Sequence, residues 1–166
     1  MRKIVVVLLL AGGVASAEEA PLAPLEFLVG SCWSGKFPDG KSTDTHCFES
    51  SLGGRLIYDK HVVRGDKPDY SGESVWYVDP KSKRVTFMYF NSIGGVSTGT
   101  LDEVQGTRLR FSDEEYTGTD GRKQKFRTVW EQKGSDGYIA LTEKQAGDKW
   151  VEAWRIEFKR TPKTGG

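Results

Sequence analysis

From residue 32 onward the chain is a succession of short runs of mixed apolar and polar residues, each closed by turn formers. After the stretch 32–47 the runs fall at 55–63, 73–78, 84–91, 97–103, 108–116, 123–133, 138–145 and 150–160. The separators at 64–69, 79–83, 93–95, 118–121, 134–137 and 146–148 are rich in Gly, Pro, Asp, Ser and Lys. Period-two runs bounded by such clusters read as β-strands, and few stretches hold a helical period. Connections this short make sequential strands antiparallel neighbours. About ten strands in an open meander would leave two unpaired edges, which closure removes. The pattern therefore predicts an all-β, antiparallel up-and-down barrel of about ten strands. The apolar stretch 25–29, ending in Gly30, reads as a short helical turn across one end.

The stretch 32–47 is the best-determined part of the pattern. Pro38-Asp39-Gly40-Lys41 is a turn signal, in which Pro presets φ and Gly accepts a positive one. Folding the chain about Asp39-Gly40 sets Phe37 opposite Ser42, Trp33 opposite His46, and Cys32 opposite Cys47. These are the only two cysteines in the chain. A two-residue loop would make the Cys pair a hydrogen-bonded one and would put Pro38, which has no N–H, at a bonded position. A four-residue loop closed by Phe37 and Ser42 makes it a non-hydrogen-bonded pair, the closer kind, which suits a cross-strand disulfide. The expectation is a four-residue loop and a Cys32–Cys47 disulfide; the alternative is two buried thiols.

The N-terminus carries the signature of an export signal. Met1-Arg2-Lys3 is basic, 4–14 is apolar, and Ala15-Ser16-Ala17 is a small-x-small cleavage site. The apolar run is too short to span a bilayer. The expected organisation is a signal peptide at 1–17, one barrel domain at 18–160 and a disordered tail at 161–166. The form of the signal suits a bacterium, with a periplasmic or secreted product in a compartment that permits disulfides. Removing 1–17 takes away two of the 24 basic residues and none of the 23 acidic ones, so the formal charge moves from +1 to about −1. That balance argues against a nucleic-acid partner. No membrane span is expected in the mature chain, and its oligomeric state is left open.

Pro24-Leu25-Glu26-Phe27-Leu28-Val29-Gly30-Ser31-Cys32-Trp33-Ser34-Gly35 resembles the opening of calycin-type barrels: lipocalins, fatty-acid-binding proteins and nitrobindin-like haem barrels. In these a short apolar turn ends in Gly and a Trp begins strand one. Tyr77-Val78-Asp79-Pro80-Lys81 and the terminal Trp154-Arg155-Ile156-Glu157-Phe158-Lys159-Arg160 fit the likeness, which extends to secreted bacterial proteins of lipocalin-like fold. The resemblance implies a ligand cavity inside the barrel. The departures matter as well. Two residues rather than one separate Gly30 from Trp33. Where many fatty-acid-binding proteins carry Arg-x-Tyr to hold a carboxylate, this chain reads Arg155-Ile156-Glu157. Nitrobindin-like barrels ligate haem through a His near the C-terminus, and this chain has no His after His61. No cofactor is therefore expected.

Parity places Trp33, Gly35, Phe37, Asp44, His46 and Phe48 on the inward face of the first hairpin. His46 is the candidate polar group of the interior. His61 carries a weaker signal, and two histidines without neighbouring Cys or closely spaced carboxylates predict no metal site. No nucleophile motif is present, and Ser92–Ser97 lacks the helix and Lys of a phosphate loop. No catalytic residue is assigned. The aromatic rows are the remaining signal. Trp130 shares parity with Phe126 and Thr128, and Trp154 with Trp150, Glu152, Ile156 and Phe158, which leaves Arg127 and Arg155 outward. The expected ligand-lining set is Trp33, His46, Phe87, Tyr89, Trp130 and Trp154. The leading expectation is a non-enzymatic binder of a small apolar or amphipathic ligand. The alternatives are a small barrel enzyme using His46 as acid or base, and a structural or interaction protein of the envelope.

Overall fold

The computed structural model describes residues 22–162. The proposed signal peptide lies outside the described residues, as does the tail beyond Pro162. Ten antiparallel strands follow one another around a closed barrel: β1 (Cys32–Lys36), β2 (Thr43–Ser51), β3 (Leu56–Arg64), β4 (Tyr70–Val78), β5 (Val85–Asn91), β6 (Val96–Gln105), β7 (Arg108–Thr117), β8 (Lys123–Gln132), β9 (Gly137–Ala146) and β10 (Lys149–Thr161). β1 closes the ring by pairing with both β2 and β10. The expected tail begins too early, because Thr161 belongs to β10 and pairs with Cys32.

The first hairpin has the four-residue loop. Phe37 N–H donates to the Ser42 carbonyl at 3.0 Å, and the ladder counts outward to Cys32 opposite Cys47. Their Cα atoms are 4.1 Å apart, as a non-hydrogen-bonded pair requires, and the disulfide is formed. Gly40, at the turn, has φ +68°, which a residue with a Cβ adopts only at a cost.

One end of the barrel is sealed. A 3₁₀ segment, Ala23–Leu28, crosses it. Leu22, Leu25 and Leu28 are no more than 1% exposed. Burying each such side chain stabilises the fold by about 1.5–3 kcal/mol. Trp33, fully buried beneath the segment, donates its Nε1–H to the Leu28 carbonyl at 3.1 Å. Phe27 and Tyr138 meet Trp33 edge-on, and the Arg160 guanidinium lies 4.4 Å from the centre of its indole. The sealing segment therefore ties the start of β1 to the end of β10, where the barrel closes.

One parity expectation needs correcting. The β9–β10 register shifts between Glu152 and Trp154, so Ala153 is bulged out of the count. A bulge flips the facing of every residue beyond it. Trp154, Ile156 and Phe158 pair with inward positions of β9, Thr142, Ala140 and Tyr138, and point inward themselves. Trp150 and Glu152 pair with Gln145 and Glu143 and face outward, where Arg127 stacks on Trp150 at 4.7 Å. Arg127 and Arg155 are outward as expected, paired with Glu143 and Glu152.

Candidate functional site

Away from the sealed end the barrel holds a cavity of about 500 Å³. Most of its wall is aromatic. Trp76, Phe87, Phe111 and Trp130 form one connected group, with Trp76 centred 4.6 Å from Phe87 and Trp130 centred 4.9 Å from Phe111. Phe37, Phe126 and Trp154 meet as edge and tilted pairs on the same wall, and Trp154 remains 36% exposed. No residue of the 3₁₀ segment lines the cavity.

Of the six expected lining residues, His46, Phe87, Tyr89, Trp130 and Trp154 do line it. Trp33 does not. It points inward as its parity requires, but at the sealed end, where the 3₁₀ segment occupies the space a ligand would need.

The polar part of the wall is concentrated on β2 and β3, with β4 and β5 beside them. The β2–β3 register sets His46 directly opposite His61. Each histidine has an aspartate two positions before it, so Asp44, His46, Asp59 and His61 all share the inward parity. Their side chains form one cluster. Asp59 accepts from His46 Nδ1 at 2.9 and 3.0 Å through its two oxygens. Asp44 Oδ2 accepts from His46 Nε2 at 3.1 Å, and Asp44 Oδ1 accepts from His61 Nδ1 at 2.9 Å. On its other side His61 Nε2 is hydrogen-bonded to the Tyr89 hydroxyl at 3.0 Å. The Tyr89 hydroxyl is in turn hydrogen-bonded to that of Tyr70 at 2.5 Å. Tyr70, Tyr89, His61 and Asp44 thus form a chain of hydrogen bonds along the cavity wall.

Both ring nitrogens of His46 face carboxylates, which accept and cannot donate when ionised, so His46 is an imidazolium. Burial works against that charge, but Asp59 and Asp44 outweigh it and hold the His46 pKa up to about 10. Burial likewise opposes ionisation of Asp44, yet the charges and hydrogen bonds of His46 and His61 hold it well below the usual carboxylate range. Burial pushes the Tyr70 and Tyr89 phenols up. Across the barrel on β7, Glu114 faces the same cavity, accepts from Ser97 Oγ at 2.9 Å, and is shifted upward by burial.

The expectation that the histidines lack nearby carboxylates is overturned, because Asp44 and Asp59 contact them directly. The signal was present as a repeated Asp-x-His, at 44–46 and 59–61, in adjacent runs around one turn. Tyr70 carried no motif of its own. Its placement follows from pairing register, which a run of residues does not announce.

No protein-family model matches the chain, and no curated protein matches it by sequence. Among solved structures it is similar to Rv2717c from M. tuberculosis, with a TM-score of 0.61 and 15% sequence identity, covering 85% of this chain and 97% of that one. A likeness at this identity shows a shared fold and leaves the site to be argued from its own residues.

Proposed function

We propose that this is an exported barrel of calycin type that binds a small apolar or amphipathic ligand in its cavity. The observation that carries the reading is the cavity itself. Its volume of about 500 Å³ is of the size small-molecule sites have, with an aromatic wall and one polar bank. A filled core would have supported the structural alternative instead. Two further features support a ligand. Trp76 lines the cavity, and its buried Nε1–H has no partner among the described residues. A buried donor of that kind costs about 1–3 kcal/mol until something accepts from it. The polar bank, in turn, can orient one end of an amphipathic molecule while its apolar body lies against Trp76, Phe87, Phe111 and Trp130. The Cys32–Cys47 disulfide is consistent with a periplasmic or secreted location, and no helix among the described residues is long and apolar enough to cross a membrane.

The test is a titration of the untagged protein with a neutral hydrophobic dye, followed by native mass spectrometry of protein recovered from its own periplasm. Saturable binding near one dye per chain, displaced by a co-purifying small molecule, supports the reading. Non-saturable binding with no co-purifying molecule overturns it.

A second reading, acid–base catalysis in the same cavity, is favoured by the Tyr70–Tyr89–His61–Asp44 chain. In it the proton-moving group is His61 rather than His46, because both nitrogens of His46 are committed to carboxylates. Conversion of the co-purified molecule by wild type and not by His61→Gln would favour this reading over simple binding.

A further inference from the structure

We propose that the polar bank of the cavity is a binding site for a divalent transition-metal ion, held by Asp44, His46 and His61. One ligand atom from each of these residues lies within 4.8 Å of those from the others. Two imidazoles and one carboxylate are a donor set suited to zinc and its neighbours, and a three-residue set leaves a coordination position open. Here that position faces the cavity, which all three residues line.

The surrounding residues are those a metal site needs. A ligating histidine ordinarily gives its other ring nitrogen to a carboxylate or similar partner, which fixes the tautomer and aims the ring. His46, ligating through Nε2, has Asp59 on Nδ1 at 2.9 Å. His61, ligating through Nδ1, has the Tyr89 hydroxyl on Nε2 at 3.0 Å. Each candidate ligand nitrogen is thus the one that faces Asp44, and each opposite nitrogen already has an orienting partner. Charge agrees with this count. Two carboxylates and two neutral imidazoles carry two negative charges, which a divalent ion cancels. With a metal bound, each ring would carry no proton on its ligating nitrogen and one on the other, His46 Nδ1–H donating to Asp59 and His61 Nε2–H to the Tyr89 oxygen. The two rings are stacked with centres 4.6 Å apart, and a shared metal would require them to tilt until their lone pairs converge.

The site stands independently of the organic-ligand reading. Zinc uptake is measured without an organic molecule, and dye binding with a chelator present, so either can fail alone. The experiment is calorimetric titration of untagged, chelator-stripped full chain with zinc, with cobalt as a spectroscopic substitute. The chain has only two histidines, so ring-nitrogen NMR reads both without assignment ambiguity. The expected result is one zinc per chain, with both histidine ring signals shifted and a visible cobalt band that zinc abolishes. Asp44→Asn and His61→Ala should abolish saturable uptake. Tyr89→Phe, which keeps every ligand, should weaken it by about 10–100-fold. Lys123→Ala, on the outer surface, should leave it unchanged. No saturable uptake in wild type, or uptake that leaves both ring signals unmoved, overturns the proposal. So does equal affinity in wild type and a folded Asp44→Asn. If the ligand variants fail to fold, the wild-type NMR and cobalt spectra decide.

Discussion

His46 and His61 face each other across β2 and β3 with their rings stacked 4.6 Å apart, and Asp44 bridges them by accepting from both. One aspartate thereby ties two histidines together. Asp59 completes the pairing of His46, while Tyr89 completes that of His61. The two rings occupy equivalent positions on adjacent strands and yet differ in partners, because one has a carboxylate at each end and the other a carboxylate and a phenol.

Behind that contact, Gly72 leaves the space the network uses. A Cβ at position 72 would fall 2.5 Å from the Tyr89 hydroxyl and 2.6 Å from His61 Nε2. Gly72→Ala should therefore break the Tyr89–His61 hydrogen bond without removing any titratable group, and should cost about 1–3 kcal/mol as an overpacking change. The cost should shrink in a Tyr89→Ala background, where the ring that must move is gone. Urea melts of the four proteins in this cycle measure it, and full additivity would show that the strain lies elsewhere.

Glu114 gives the pH dependence. Burial raises its pKa above the ordinary glutamate range. A group shifted upward in the folded state contributes stability below its unfolded pKa and loses it as pH rises through the folded one. At neutral pH the buried carboxylate is therefore a net cost. Glu114→Gln keeps an oxygen to accept from Ser97 and removes the ionisation. The variant should match wild type at pH 4 and be the more stable of the two at pH 8. Urea midpoints across that range check it, and a wild type that gains on the variant as pH rises would contradict the sign.

The disulfide should matter through the unfolded chain. Closing a loop with sequence separation 15 is worth about 3 kcal/mol in the chain-entropy account. Cys32→Ser with Cys47→Ser should lower stability by about that amount while leaving the barrel intact, because the hairpin turn and the inward residues Trp33 and Phe48 are untouched. Thiol titration of unfolded, unreduced wild type should find no free thiol.

What the sequence made legible follows the same physical division. The first hairpin was readable to the residue, because two cysteines, a Pro-Asp-Gly turn and strand parity all constrain one register. The barrel was readable from run length and turn chemistry. The Asp44–His46–Asp59–His61 cluster was not, although both Asp-x-His motifs were in view. Its assembly depends on the β2–β3 turn, where Leu52 takes a φ of +50° beside Gly53 and Gly54. A one-residue change there would have turned His61 outward. On β10 parity counting failed at Ala153, because a bulge leaves no mark in the hydrophobic pattern. Trp33 was correctly read as inward, yet inward at the sealed end is core and inward at the other end is cavity. That distinction comes from the 3₁₀ segment and not from the strand.

The tryptophans of the cavity separate binding from stability. Trp130 packs against Phe48, Trp76, Phe111 and Tyr138 in the middle of the barrel, whereas Trp154 sits beside Phe37 and Phe126 and keeps 36% of its surface in solvent. Truncating a well-packed aromatic costs about 3–5 kcal/mol, so Trp130→Ala should lie in that range. Trp154→Ala leaves less packing behind and should cost clearly less than Trp130→Ala. It removes an indole face from the cavity wall, however, so the affinity for a neutral hydrophobic dye should change while the fold persists. The dye should also quench or shift tryptophan emission saturably in wild type, and less so in Trp154→Ala. Lys123→Ala, on the outer surface, should alter neither quantity. If Trp154→Ala lowers stability as much as Trp130→Ala and leaves dye affinity unchanged, Trp154 is core rather than binding surface. The envelope-protein alternative then gains on the ligand-binding one.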